Sequence, residues 1–208
     1  KFLIYMRRKF ILKKNEITWE DYDFHPVVNL PDDYIVLDLN KSSWKAPSGQ
    51  FCVGKYNEVR PNMYNTDLFQ GVRNIHMGID VGGPVGTPCM AFFDGIISHY
   101  GYNSEPGDYG FVVITKHIIS GKNIWALYGH LDSSSIKGKK VGEKISKGEV
   151  LAWFGDYDEN GGWEPHLHFQ LSYREPQTHD LPGVVSEEDR EEALNDFPDP
   201  RLVMGPIY

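Results

Sequence analysis

The sequence predicts a mostly β protein, an antiparallel β-sandwich or open barrel with an irregular N-terminal region and a short C-terminal helix, from three observations. First, between residues 71 and 173 short apolar runs, at 91–93, 95–98, 111–119, 123–128, 149–154 and 167–171, are punctuated by glycines and rich in β-branched and aromatic residues. That texture belongs to short strands joined by tight turns. Second, the run 111–119 reverses at Ser120-Gly121 and returns through Ile124-Trp125-Ala126-Leu127-Tyr128, which reads as a hairpin with Gly121 near its tip. Third, the chain after Tyr173 is polar and proline-bearing. There Ser186-Glu187-Glu188-Asp189 has capping-box character and opens a short acidic helix to about residue 195, which Pro198 and Pro200 stop.

At 208 residues the chain can enclose a core without disulfides. The expected organisation is an N-terminal extension over 1–70 that packs on the core, a central domain over 71–173, and a tail with a short helix over 174–208. In the extension Pro31-Asp32-Asp33 is a turn signal, Tyr34-Ile35-Val36-Leu37 resembles a short strand, and no catalytic pattern appears. Within the central domain, residues 141–150 carry an apolar-x-x-Gly unit suited to a tight β-arch.

A net charge of −8 excludes a dedicated nucleic-acid binder, which needs a basic face. The exception is the stretch from Lys1 to Lys14, with six basic residues and no acid, expected to be an edge strand or solvated tail rather than a membrane-surface anchor. Its longest uncharged segment, residues 2–6, is too short for a secretory h-region or a membrane span. Cys52 and Cys89 allow one bridge and no disulfide framework. The chain opens on Lys rather than Met. The expected compartment is therefore the cell envelope or exterior if an upstream signal was removed, and otherwise the cytoplasm.

Chemistry concentrates in three places. In Pro165-His166-Leu167-His168-Phe169 the two histidines alternate with apolar residues, so on a strand both imidazoles leave one face, with Cα atoms roughly 6 to 7 Å apart. Alone, such a pair describes exposed strand histidines more readily than a metal site. In His76-Met77-Gly78-Ile79-Asp80 the two polar residues would stand roughly 13 Å apart on a straight strand, too far to share an ion, so the chain must bend. Gly78 offers freedom for that bend; the competing reading is a buried Asp80 satisfied by backbone amides beside a surface histidine. In Tyr128-Gly129-His130-Leu131 a strand ends at Gly129 and a histidine follows at its mouth. His117 is expected to be a structural histidine bonded within its sheet, and His25, His99 and His179 have no constellation around them.

Taken together, these elements resemble the lysostaphin-like zinc endopeptidases, the family that includes LytM-type cell-wall hydrolases, over about a hundred residues from His76 to Leu171. His-x-Gly-x-Asp at 76–80 is followed by Pro84-Val85-Gly86-Thr87-Pro88, then Asp94-Gly95, Tyr128-Gly129-His130-Leu131 and Pro165-His166-Leu167-His168-Phe169, in the family's order and spacing. The resemblance implies one zinc ion per chain held by His76, Asp80 and His168, with His130 and His166 as the catalytic pair beside the attacking water. Three protein ligands leave the open position that catalytic zinc requires. The loop 155–164, Gly-Asp-Tyr-Asp-Glu-Asn-Gly-Gly-Trp-Glu, departs from the family's Gly- and Thr-rich turn. It is similar to the variant in fusion proteins that carry such a module between kinase-like and aminotransferase domains, as is the segment 198–206.

The implied function is hydrolysis of peptidoglycan cross-links or short Gly- or Ala-containing peptides. The partner is accordingly a peptide or peptidoglycan-like substrate, with no nucleic acid and no membrane span. Two other readings stand beside it: a zinc-bearing binding module without turnover, and a cytoplasmic hydrolase of a small amide. Trp163, Tyr157, Tyr109 and Tyr102 fall in loops expected around the cleft, as its walls or as caps on the sandwich ends.

Overall fold

The structure is a computed structural model that describes residues 17–41 and 49–208; the basic stretch from Lys1 to Lys14 lies outside these. Among the described residues the strands are β1 (Ile35–Val36), β2 (Cys52–Gly54), β3 (Glu58–Val59), β4 (Ile75–His76), β5 (Ile79–Gly82), β6 (Pro88–Met90) and β7 (Gly95–Asn103). They continue with β8 (Gly110–Ile119), β9 (Lys122–Leu131), β10 (Lys144–Ile145), β11 (Val150–Trp153), β12 (His166–Ser172) and β13 (Val184–Val185), and are followed by helices α1 (Arg190–Asp196) and α2 (Arg201–Met204).

Eight strands form one sheet in the order β1-β2-β5-β12-β9-β8-β7-β10, antiparallel at each pairing except β1 with β2. Two small sheets, β11-β6 and β13-β4-β3, complete the architecture. Alternation along β12 sets the layers. Leu167, Phe169 and Leu171 are fully buried and join Val81, Val113, Ala126 and Tyr128 with Cys89, Leu151 and Ala152 of the β6/β11 pair. On the opposite face Val112, Ile114, Trp125 and Leu127 pack with Ile75, Met77 and Val185, and with Ala193 and Phe197 at the C-terminal helix. Burial on both faces explains why the first half of β8, Phe111 to Ile114, reads as a continuous apolar run. The result is the expected mostly β sandwich, with β2 and β3 of the N-terminal extension paired directly to β5 and β4.

Several boundaries differ from expectation. Residues 91–93 are not a strand: the paired segment is β6 just before them, and Phe92 is apolar because it fills the core at 0% exposure. Strand β9 does not stop at Gly129 but runs on to Leu131. Only half of the capping box forms: the Ser186 hydroxyl accepts from Asp189 N at 3.2 Å and donates to Asp189 Oδ2, and α1 begins after Asp189. Pro198 ends that helix, whereas Pro200, at φ −61°, starts α2, an element absent from the sequence reading. Cys52 and Cys89 are both buried free thiols rather than a bridge. They sit in different sheets, on β2 and β6.

His117 is structural, as expected. It is 1% exposed, donating Nδ1–H to Asp94 O at 3.0 Å and accepting from Thr115 Oγ1 at 2.7 Å. Burial pushes its pKa down to about 4, against the backbone hydrogen bonds and the Asp94 charge that favour protonation. Its folded-state pKa thus lies below the ordinary value of 6.5. The associated stability is present above that value and lost as pH falls toward 4, by up to about 3 kcal/mol. Urea unfolding of His117→Gln between pH 7 and 4 is expected to show a flatter decline than the parent protein, and an equal decline would contradict this role.

Candidate active site

A cleft of about 620 Å³ opens where β4, β5, β9 and β12 meet, and its lining includes His76, Asp80, His130, His166 and His168. The main-sheet register brings three of these strands side by side. His168 on β12 pairs with Asp80 on β5 on one flank and with Gly129 on β9 on the other. His76 arrives from a different sheet, because the chain leaves β4 at His76 and enters β5 at Ile79. The bend foreseen between the two therefore carries the chain from one sheet to the next.

Gly78 serves this bend through space rather than through conformational freedom, since it is not among the positive-φ glycines. A Cβ there would lie 2.5 Å from His168 Cε1 and 2.8 Å from Phe169 O. His130 is placed by a bulge. The β8/β9 register slips by one residue, from Val113 opposite Tyr128 to Phe111 opposite Leu131, and His130 takes φ +63°. The inserted residue keeps Tyr128 and Leu131 in the core while His130 turns to the cleft. A left-handed histidine costs about 1 to 3 kcal/mol, a strain typical of functional sites.

Four imidazoles share one device: each donates its outward N–H to a group that can only accept. His76 Nδ1 donates to Lys55 O at 3.0 Å, His130 Nδ1 to Asn160 O at 2.7 Å and His166 Nδ1 to Glu164 O at 2.7 Å. His168 Nε2 donates to Gln170 Oε1 at 3.0 Å, and Gln170 is oriented by donating Nε2–H to Pro182 O at 3.2 Å. In the neutral rings the inward nitrogens are then all acceptors. Burial supplies the neutrality. It pushes His76 down to about 4, with the Arg60 charge assisting, holds His130 well below the usual range, with His166 and His168 adding to the effect, and lowers His166.

Three acceptors consequently meet. His76 Nε2 and His168 Nδ1 are 2.9 Å apart, and each lies 3.1 Å from Asp80 Oδ1. Burial opposes ionisation of Asp80, and the Arg60 guanidinium on its second oxygen favours it. Three lone pairs at this spacing repel one another unless a cation lies among them. A tetrahedral zinc ion with bonds of about 2.0 to 2.1 Å separates its ligand atoms by roughly 3.3 Å, so a donor set of two imidazoles and a carboxylate fits that ion. This is the one cluster of its kind among the described residues. His166 and His130 stand beside it, with His166 Nε2 3.9 Å from Asp80 Oδ1 and the two rings 4.1 Å apart between centroids.

The bland alternative for Asp80, a carboxylate held by backbone amides, is not what the structure shows. Its second oxygen accepts from Arg60 Nη1 at 2.6 Å. Arg60, Tyr64, Asn160 and Gln170 all escaped the sequence reading. Only Gln170 carried a local signal, continuing the alternation of His166 and His168. Of the four loop aromatics, Tyr109, Tyr157 and Trp163 line the cleft. Tyr102 lies on β7, 46% exposed and packed against Phe111. His25, His99, His117 and His179 are not among the lining residues. No helix among the described residues is long and apolar enough to cross a membrane.

Residues 74–180 match the family model described as Peptidase family M23. The chain is 33% identical over 96 residues to the DD-carboxypeptidase/endopeptidase Mpg of Neisseria meningitidis, covering 46% of this chain and 20% of that protein. It is 30% identical over 115 residues to the peptidoglycan DD-endopeptidase ShyC of Vibrio cholerae, covering 53% and 24%. Among solved structures, a variant catalytic domain of the prophage-encoded M23 protein EnpA of Enterococcus faecalis is 26% identical, with 67% of this chain and 91% of that one covered and a TM-score of 0.45. The chain spans about a fifth to a quarter of the length of the curated relatives it matches.

The place of Gly78 against the His168 ring makes a direct prediction. Gly78→Ala is expected to displace that ring and leave purified protein with well under one zinc per chain by atomic emission, while circular dichroism stays β-type. Full zinc content in this variant would contradict the packing described.

Proposed function

The chain belongs to peptidase family M23, a family of zinc metallopeptidases, and from that premise we propose that it is an endopeptidase whose His76, Asp80 and His168 hold one zinc ion while His130 and His166 move protons. The observation that carries the proposal is the convergence in one cleft of three acceptor atoms within 3.1 Å of one another with two further neutral imidazoles beside them. A zinc ion bound there supplies Lewis acidity, which activates water as a nucleophile and polarises the scissile carbonyl.

The remaining chemistry belongs to the protein. His166, nearer the ligand set, presents an acceptor Nε2 and takes the proton of the attacking water. Its Nδ1–H stays on Glu164 O, so the imidazolium formed is held in place to return that proton to the leaving amine. His130 at 4.1 Å restricts the pair to a single positive charge, because two adjacent imidazolium ions in a buried site repel. Neither neutral ring carries an N–H toward the cleft.

The cleft, with Phe69, Tyr109, Trp163 and Leu181 among its walls, suits an extended peptide. The names of the relatives, a peptidoglycan DD-endopeptidase and a DD-carboxypeptidase/endopeptidase, support peptidoglycan cross-links as the substrate class. His166→Ala is expected to retain one zinc per chain and to lose roughly 10²- to 10⁴-fold in the rate of new amino-group release from purified peptidoglycan. A zinc-replete parent protein that cleaves neither peptidoglycan nor short Gly- or Ala-containing peptides would instead support a binding module.

A further inference from the structure

Arg60 is the one arginine or lysine among the buried side chains of the described residues, at 1% exposure. Its donors are nearly all used. Nη1 donates to Asp80 Oδ2 at 2.6 Å and Tyr64 Oη at 3.0 Å, Nε to Glu58 Oε2 at 3.1 Å, and Nη2 to Lys55 O at 3.4 Å. Glu58 is buried too, and its other oxygen accepts from Leu39 N at 3.0 Å. Space for the guanidinium is built in at Gly54, where a Cβ would come within 2.7 Å of Arg60 Nη2.

The two oxygens of Asp80 therefore have different neighbours. Oδ1 faces both imidazoles at 3.1 Å, and Oδ2 faces Arg60. Neutralising Asp80 would need only one cation, which zinc itself supplies. Arg60 is present in addition, braced from its far side by a second buried carboxylate, an arrangement that is costly unless orientation matters. We propose that Arg60 is a positioning residue that occupies Oδ2 and so makes Asp80 a one-oxygen ligand to zinc, keeping the remaining coordination position for water and substrate. This rests on the reading that His76, Asp80 and His168 hold the ion.

The test uses cobalt(II) in place of zinc, because its visible band reports coordination number, together with zinc affinity by chelator competition. Wild type is expected to bind one cobalt with the intense band of a four-coordinate ion. Arg60→Met, made together with Glu58→Gln so that Glu58 is not left as an unpaired charge, is expected to show a weaker, five-coordinate spectrum and a 10- to 100-fold loss of zinc affinity. Arg60→Lys, which keeps the charge but not the planar fork, is expected to recover the affinity only in part, and it carries the test if the double variant does not fold. Folded variants with lower melting temperature but unchanged spectrum and affinity would overturn the inference and leave the zinc site standing. A wild-type protein that takes up no cobalt would overturn both.

Discussion

The cleft depends on where four imidazole protons are held. Lys55 O, Asn160 O, Glu164 O and Gln170 Oε1 each accept the outward N–H of one histidine, and through these bonds the fold turns four ambiguous rings into four inward acceptors. Two of the inward nitrogens join a carboxylate oxygen in a triangle with edges of about 3 Å, and the rings of His130 and His166 line the same cleft. For His76, His130 and His166 burial favours the neutral ring, because charging it away from water is unfavourable. In the proposed reading, metal binding and proton transfer would both depend on the same second layer of groups, most of them backbone carbonyls.

The sheet supplies the precision. Adjacent strands bring Asp80, His168 and the β9 rim into register, a change of sheet delivers His76, and a one-residue bulge turns His130 toward the cleft at the expense of a left-handed backbone. These three departures from ideal β geometry occur at residues of the cleft, while the other register shifts, in β7 and β11, lie away from it. Along β12 the ideal geometry is undisturbed: Leu167, Phe169 and Leu171 alternate into the core as a regular strand requires.

The legible part of the sequence was the part written in local periodicity. Strands β8, β9 and β12 announced themselves through runs and alternation, and the five histidine and aspartate positions lay in three short motifs. What escaped notice is long-range. Arg60 reaches Asp80 across 20 positions, and Asn160 acts on His130 through a backbone carbonyl that any residue type possesses. The strand expected at 91–93 failed because Phe92 is apolar for core filling, and periodicity cannot separate that from pairing. Gly78 was noted for its freedom, whereas its function is the absence of a Cβ beside His168.

The central claim is that two imidazoles and one carboxylate oxygen, with their tautomers fixed from behind, form a zinc site. X-ray absorption at the zinc edge on the zinc-loaded protein tests it most directly. The expected spectrum has a first shell of nitrogen and oxygen at about 2.0 to 2.1 Å with the outer-shell scattering of two imidazoles. A first shell without imidazole scattering, or with sulfur at about 2.3 Å, would contradict it.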